Sequence, residues 1–178
     1  MRIAINISLL NGPKFGITTY IDNLISAIKK IDLSNEYFFL GRNKMLGLSF
    51  TRIFWEQSFL PLMVNINDIN IFHNPDHILP LIPMKCKKII TVHDLAFLRH
   101  PELFSFGKRT YKKMIALSSL KMADRIIADS LSTKKDIIEM FAVNQEKISV
   151  IYIGVNKNYK VIKDHKALIY VKQKYNLP

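Results

Sequence analysis

The chain alternates short apolar segments with longer segments whose apolar residues recur every three or four positions, almost from end to end. The short segments are apolar throughout, which is typical of strands buried on both faces in a parallel sheet. They comprise residues 3–7, 37–40, 68–72, 88–92, 125–128 and 148–151. We therefore predict an α/β fold: a Rossmann-like, mostly parallel sheet with helices on both faces.

The longer segments predict helices between these strands. Residues 16–31 carry an apolar stripe one helix face wide, and further helices are predicted at 49–64, 104–122, 132–141 and 164–175. Pro61 is expected to interrupt or end the second helix, because proline removes a backbone donor. Polar connections are predicted at 8–15 and at 73–77, where Pro75 and its polar neighbours stop the third strand.

A chain of 178 residues, of which 49% are hydrophobic, can bury one core of good size. We expect one domain over residues 1–160 and a truncated linker and helix over 161–178. The apolar stretches are too short to span a bilayer, and the N-terminus lacks the pattern of a signal peptide, so a cytoplasmic location is expected. Cys86 is the only cysteine, which predicts neither a disulfide nor a zinc site.

The formal net charge of +12 favours anionic partners such as phosphates, acidic lipid surfaces or nucleic acid. No helix-turn-helix, zinc or aromatic RNA-binding signature accompanies the charge, so no nucleic-acid partner is expected. Lys108, Arg109, Lys112 and Lys113 alternate with large apolar residues in the predicted helix 104–122. This pattern occurs in helices that lie on anionic membranes, and more commonly on a solvated helix face.

His93 and Asp94 directly follow the fourth predicted strand. Ligands of open parallel sheets bind at the carboxyl ends of the strands, so both residues are candidates for a binding site. A strand-end histidine that only caps backbone groups is the alternative. Ser130 follows the fifth strand, where it either faces the same site or caps the next helix.

A second group of polar residues follows the third predicted strand and is suited to hydrogen-bonding hydroxyl groups. It consists of His73, Asn74, Asp76 and His77. Two histidines four apart around a proline do not have the spacing of helical metal ligands. No metal site is predicted.

Several short motifs follow one another in a characteristic order along the chain. They are Gly16–Tyr20, Trp55–Gln57, Phe72–Asp76, Thr91–Leu95, Ala123–Ser130 and Ile153–Asn156. Over nearly the whole chain, these motifs resemble the N-terminal domain of retaining GT-B glycosyltransferases of the group 1, or family 4, type. Enzymes of that family have two Rossmann-like domains with the active site in the cleft between them.

The resemblance implies that the chain is the acceptor-binding half of a glycosyltransferase that moves a sugar from a nucleotide-sugar to a carbohydrate or lipid-linked acceptor. His93 matches the family's cleft histidine and is the implied catalytic residue. Gly16 and Ser130 match positions that face the donor phosphate or sugar. The implied acceptor-binding residues are Asn11, His73, Asn74, Asp76 and Asp94.

The family's donor-binding C-terminal domain has no counterpart in these residues. The resemblance therefore implies a partner domain, in cis or in trans, and little activity of this chain alone. Neither a metal nor a cofactor is implied, because the nucleotide-sugar is a substrate. Several family members act on lipid-linked acceptors as peripheral membrane enzymes, so the expected location is cytoplasmic, either free or at the inner face of the membrane.

A non-catalytic module on the same fold, which binds glycans, phosphates or anionic surfaces, is the alternative function. A NAD-dependent enzyme is disfavoured, because no G-x-G-x-x-G sequence follows the first strand.

Overall fold

The fold is built on six short parallel strands. In the computed structural model, residues 1–41, 53–103, 105–155 and 161–178 are described, apart from the side chain of Lys108. The strands are β1 (Arg2–Asn6), β2 (Glu36–Leu40), β3 (Ile71–Asn74), β4 (Lys87–Val92), β5 (Arg125–Ala128) and β6 (Ile148–Val150). This sheet confirms the predicted Rossmann-like α/β fold.

The strands form one sheet in the order β2-β1-β3-β4-β5-β6, and every neighbouring pair is parallel. The chain passes from β1 to β2 on one side and then returns to β3 on the other side of β1. The order therefore reverses between β1 and β3. In open α/β sheets, ligands bind outside the carboxyl ends of the strands at such a reversal.

Six α-helices connect and follow the strands in the described part of the chain. They are α1 (Gly16–Ile31), α2 (Leu60–Ile66), α3 (Ala96–Arg99), α4 (Phe106–Met122), α5 (Leu131–Phe141) and α6 (His165–Lys174). The predicted bounds of α1 agree with the structure. Short 3₁₀ turns at Ser8–Asn11, Pro101–Leu103 and Gln145–Lys147 complete the connections, and the first of these lies in the predicted polar loop 8–15.

Apolar side chains from the strands and from four helices, α2 to α5, form the main core. Phe72, Ile90 and Ile126 of the central strands are fully buried in one cluster with Leu60 of α2 and Leu120 of α4. Ala4 of β1 belongs to this cluster, whereas the next residue, Ile5, is buried outside it. Since successive strand side chains point to opposite faces, both faces of β1 are covered.

On the second face of β1, the side chain of Ile5 is buried and only 1% exposed. Ile21 of α1 is completely buried as well. Neither belongs to the main cluster. This burial on two sides explains why the strands are apolar throughout instead of alternating.

The prediction that Pro61 interrupts or ends its helix was wrong. Residues Trp55–Phe59 form a π-helical turn in which the Leu60 N–H donates to the Trp55 carbonyl, and α2 continues through Pro61 to Ile66. The wide turn places Pro61 in the first turn of α2, where a missing N–H costs nothing. The predicted start of this helix, at 49–52, lies outside the described residues.

The third strand also lies later than predicted. It covers Ile71–Asn74, so His73 and Asn74 belong to the strand and are buried, and the polar turn begins only at Pro75. Polar residues are tolerated there because each side chain finds a buried hydrogen-bond partner. The predicted start of the third predicted helix, Phe104, lies outside the described residues.

The chain beyond β6 contributes nothing to the core. Residues 151–155 and 161–164 have no regular structure, and α6 has no buried residue. Asp164 caps α6, and its Oδ1 accepts hydrogen bonds from the N–H groups of Lys166 and Ala167. No helix in the described ranges is both long enough and apolar enough to cross a bilayer.

Candidate functional site

A cavity of about 640 Å³ opens at the carboxyl ends of β4 and β5. The start of α1 forms one wall, through residues between Phe15 and Asn23. The residues that follow β4 and β5 form the floor, and the segment 153–155 after β6 forms the opposite wall. The polar residues that line it are Thr19, Tyr20, Asn23, His93, Asp94 and Asp129.

Both ring nitrogens of His93 contact oxygen acceptors of the protein. Nδ1 lies 3.3 Å from Oδ2 of Asp129, and Nε2 lies 3.1 Å from the carbonyl oxygen of Pro75. The His93 side chain is 14% exposed. A neutral imidazole can donate to only one of these oxygens, whereas the protonated ring donates to both.

Asp129 is itself held from α5. The Thr133 hydroxyl lies 3.1 Å from Oδ1 of Asp129 and 3.0 Å from the His93 carbonyl oxygen, so it can donate to either. Ser130 is the N-cap of α5, and its hydroxyl accepts a hydrogen bond of 3.0 Å from the Thr133 N–H. Asp129, rather than Ser130, lines the cavity.

Tyr20 joins α1 to the strand ends. Its ring meets the His93 ring at 79° with centroids 4.9 Å apart, and its hydroxyl lies 3.3 Å from the Thr91 hydroxyl. Burial raises the pKa of Tyr20, partly offset by the hydrogen bond with Thr91. The tyrosine is thus a neutral hydrogen-bonding group beside His93.

His73 lies beneath the cavity, on β3, and is not among the residues that line it. Its Nε2 lies 2.9 Å from the Thr91 hydroxyl, which is itself fully buried. Burial, together with the nearby His93, lowers the pKa of His73 to about 4. His73 is therefore neutral at physiological pH and supports Thr91 rather than facing a ligand.

Asn74 and Asp76 shape the loop after β3. The buried Asn74 accepts a hydrogen bond of 3.0 Å from the Asn6 side chain, and its amide donates to the Ile78 carbonyl. Oδ1 of Asp76 accepts a hydrogen bond of 2.7 Å from the His77 N–H. These contacts fix the loop that carries the Pro75 carbonyl to His93.

The remaining predicted acceptor residues lie at two places. Asp94 lines the cavity, and its Oδ1 accepts a hydrogen bond of 3.0 Å from the Ala96 N–H. Asn11 ends the 3₁₀ turn after β1 and is half-buried. The structure thus brings Gly16, His93 and Asp94 together, with Ser130 adjacent and with His73, Asn74 and Asp76 supporting from below.

Gly16 begins α1 at the mouth of the cavity. An added Cβ would meet nothing within 4 Å, and no glycine in the described residues has a positive φ. Neither packing nor backbone conformation therefore requires glycine here. The N-cap is Phe15, whose side chain cannot accept a hydrogen bond, and its N–H donates to the Thr18 hydroxyl over 2.9 Å. Backbone N–H groups of the first turn of α1 can still face an anionic ligand.

Gly16→Ala is expected to leave the free energy of unfolding unchanged to within about 0.5 kcal/mol, because the new methyl group points into the open cavity. It should weaken the binding of an anionic ligand at the mouth of the cavity about tenfold, because the methyl group occupies ligand space. Chemical unfolding and equilibrium binding of a nucleoside diphosphate measure the two effects. Gly107→Ala is the matched control. A Cβ added at Gly107 also meets nothing within 4 Å, but this glycine lies on α4, outside the cavity. Unchanged affinity would exclude close approach of the ligand to Gly16.

The predicted membrane residues of α4 differ in exposure, and Arg109 and Lys112 are half-buried. The Arg109 guanidinium lies 5.6 Å from the Phe106 ring centre, and the Lys112 amine lies 5.8 Å from the Phe97 ring centre. Lys113 is exposed, and the side chain of Lys108 lies outside the described residues.

Sequence reasoning missed Tyr20 and Asp129. Asp129 directly follows β5, much as Asp94 follows β4. Its position at the end of a strand could therefore have been used to predict it as a site residue. Tyr20 was assigned to the apolar stripe of α1, and only the packing of α1 against β4 shows its contact with His93. Within the described ranges, no three His, Cys, Asp or Glu side chains are grouped as metal ligands would be.

All three comparisons with known proteins find similarity to glycosyltransferases. The sequence profile of Glycosyltransferase Family 4 matches residues 36–159, which include His93, Asp94 and Ser130. O-antigen chain mannosyltransferase RfbU of Salmonella typhimurium is 34% identical over 85 residues, which is 48% of this chain and 24% of that protein.

A crystal structure of a glycosyltransferase from Rickettsia africae is similar over 99% of this chain and 50% of its own, with 16% identity and a TM-score of 0.47. The chain thus spans about half the length of that solved relative, and its match covers a smaller share of the mannosyltransferase.

Proposed function

Since the chain belongs to glycosyltransferase family 4, we propose that it is the acceptor-binding half of a glycosyltransferase. The complete enzyme would move a sugar from a nucleotide-sugar donor to a carbohydrate or lipid-linked acceptor. The C-terminal, donor-binding domain would be supplied in cis or in trans. This chain alone would bind ligands and turn over poorly.

The observation that carries the proposal is the cavity at the carboxyl ends of β4 and β5. It joins the free N-terminus of α1 at Gly16 to the carboxylates of Asp94 and Asp129 and to His93. Helix N–H groups suit a phosphate, and carboxylates accept hydrogen bonds from sugar hydroxyls. A nucleotide-sugar and a hydroxylated acceptor together require both kinds of group.

We assign His93 the catalytic role in this cavity. It lies between Asp129 and Tyr20, which restrain its ring, and it would contact the transferred sugar or stabilise charge at the reacting centre. Asp94 is bound to the Ala96 N–H and orients the loop after β4 rather than attacking carbon. Gly16, with Ser130 adjacent to the site, is assigned to the donor side.

The exposed C-terminal region supports a partner domain. Ile153 and Val155 line the cavity although they are 50% and 80% exposed. Helix α6 exposes Ile169 and Tyr170 by 51% and 62%. A second domain packed against residues 151–155 and α6 would cover these side chains and close the cavity.

The test compares binding and hydrolysis of a nucleotide-sugar by this chain alone and by the chain fused to a family 4 C-terminal half. Nucleoside-diphosphate mannose is the first donor to try, because the relative with 34% identity over 85 residues is a mannosyltransferase. Activity is expected only with the second half. Glycan or lipid binding without activity in either form would instead identify a non-catalytic binding module.

A further inference from the structure

The ring of His93 lies between two hydrogen-bond acceptors, one at each nitrogen. The Pro75 carbonyl oxygen lies 3.1 Å from Nε2, and Oδ2 of Asp129 lies 3.3 Å from Nδ1. A carbonyl oxygen and an ionised carboxylate can only accept hydrogen bonds, whereas a neutral imidazole carries hydrogen on one nitrogen only. Both contacts are therefore satisfied only if the site holds one hydrogen more than a neutral ring and a charged carboxylate have together.

The additional hydrogen can lie on the ring or on the carboxyl group of Asp129, and the surroundings of Asp129 favour the ring. Asp129 directly precedes Ser130, the N-cap of α5, and the N-terminal end of a helix stabilises negative charge. The Thr133 hydroxyl lies 3.1 Å from Oδ1 of Asp129 and can donate a hydrogen bond to the carboxylate. Both features stabilise the ionised form of Asp129, so the hydrogen belongs to the ring.

The other titratable groups around the histidine ring are neutral or acidic, or they pair with each other. Burial raises the pKa of Tyr20, and burial lowers the pKa of His73 to about 4, so that both are neutral. Asp94 adds a carboxylate to the cavity, and in the loop after β3, Nδ1 of His77 lies 2.7 Å from Oδ1 of Asp76. No lysine or arginine is among the described residues that line the cavity. The ring is therefore the group there that can carry a positive charge.

We infer that Asp129 is a positioning residue that keeps His93 doubly protonated, so that the cavity contains a cationic imidazolium. An imidazolium cannot take a proton from an acceptor hydroxyl, because neither nitrogen has a free electron pair. It can stabilise the negative charge that develops on a departing diphosphate. That role toward the diphosphate rests on the proposed function, whereas the number of hydrogens on the ring does not.

Nitrogen NMR of the histidine rings of this chain tests the number of hydrogens directly. A ring nitrogen that carries hydrogen and a bare one have well-separated chemical shifts, and comparison with His93→Ala assigns the signals of His93. In the wild-type chain in neutral buffer, both nitrogens are expected to carry hydrogen. Asp129→Asn should return one of them to the bare form, because an uncharged amide stabilises the imidazolium far less than a carboxylate does. A bare nitrogen in the wild-type ring overturns the inference.

Asp94→Asn is the matched control for Asp129→Asn. Asp94 also lines the cavity, but its Oδ1 accepts a hydrogen bond from the Ala96 N–H instead of facing a ring nitrogen. The control removes the same charge and should leave hydrogen on both nitrogens of His93, while circular dichroism checks the fold of each variant. Loss of a ring hydrogen in both variants would show that the total charge of the cavity, and not the contact with Asp129, sets the state of the ring.

Equilibrium binding of a nucleoside diphosphate tests the charge of the ring. His93→Ala leaves the carboxylate of Asp129 without its counter-charge and should weaken binding about fivefold, roughly the effect of one unit charge a few ångströms away in water. Asp129→Asn removes a negative and a positive charge together and should change the affinity by less than about twofold. Asp94→Asn removes a negative charge alone and should strengthen binding. Equal strengthening by Asp129→Asn and Asp94→Asn would show that the ring is neutral.

The two measurements separate this inference from the proposed function. A wild-type ring with one bare nitrogen, in a chain whose fusion transfers sugar, overturns the inference and leaves the proposed function intact. A doubly protonated ring in a chain that does not bind nucleoside diphosphate confirms the state of His93 and overturns its role toward the diphosphate.

Discussion

His93→Ala is expected to lower turnover of the completed glycosyltransferase by about tenfold or more, and by about 10²- to 10⁴-fold if the ring transfers a proton. His93 is the side chain at which α1, β4, β5 and the loop after β3 meet, through Tyr20, Asp129 and the Pro75 carbonyl. Its removal takes away both the group proposed to face the sugar and the link among these elements.

The same substitution should leave the domain folded. At least one hydrogen bond is lost, with a net contribution of about 1 kcal/mol, and the space left behind opens into the cavity, which water can fill. Single-turnover kinetics of the fused enzyme and chemical unfolding of the chain give the two quantities.

His100→Ala is the matched control for His93→Ala. His100 is exposed and pairs with Glu102 outside the cavity, so its loss should change neither turnover nor stability appreciably. Unchanged turnover in His93→Ala would remove His93 from the catalytic set. A loss of turnover that is matched by unfolding of the domain would assign it a structural role only.

The second large effect expected is a loss of stability in mild acid that originates at His73. Burial lowers the pKa of this histidine from 6.5 to about 4, so the folded chain holds it neutral where the unfolded chain protonates it. Unfolding therefore takes up a proton between these two values. Stability is highest above pH 6.5 and falls as the pH decreases towards 4, by about 3 kcal/mol in all.

His73→Gln is expected to flatten this part of the profile. Glutamine does not titrate, and its side chain can still hydrogen-bond the Thr91 hydroxyl. The free energy of unfolding, measured in urea between pH 7 and pH 4, should therefore depend much less on pH in the variant. The lowered pKa of Asp124 produces a further loss, but only at lower pH, below the ordinary value of a carboxyl group.

Equal slopes in the wild-type chain and in His73→Gln would show that His73 is protonated, or exposed, in the folded state. The His100→Ala variant again provides the control, because it removes a histidine that is exposed and lies outside the buried contact between His73 and Thr91. This measurement uses the chain alone and does not depend on its activity.

The apolar segments and their spacing were enough to predict the sheet and nearly all of its elements. Burial of both faces demands continuous apolar strands, so 125–128 and 16–31 were delimited from sequence as the structure has them. The errors fell where one local rule competed with another. Pro61 was expected to disrupt its helix, but the preceding π turn moves it to a position where it needs no donor.

His93 and Asp94 could be placed at the site from sequence alone, because strand-end positions in a parallel sheet share one edge. Their partners could not. Tyr20 lies 73 residues before His93 and Asp129 lies 36 residues after it, and no periodicity encodes which side chain of α1 or β5 reaches the ring. Sequence alone thus determined the layered α/β order, through the burial pattern of each segment. The tertiary structure decided that His73 is buried and neutral, and that Asp129 and the Pro75 carbonyl hold His93. It also decided that Leu62 and Ile66, on the outer side of α2, are exposed. Each of these depends on contacts between segments that lie far apart in the chain.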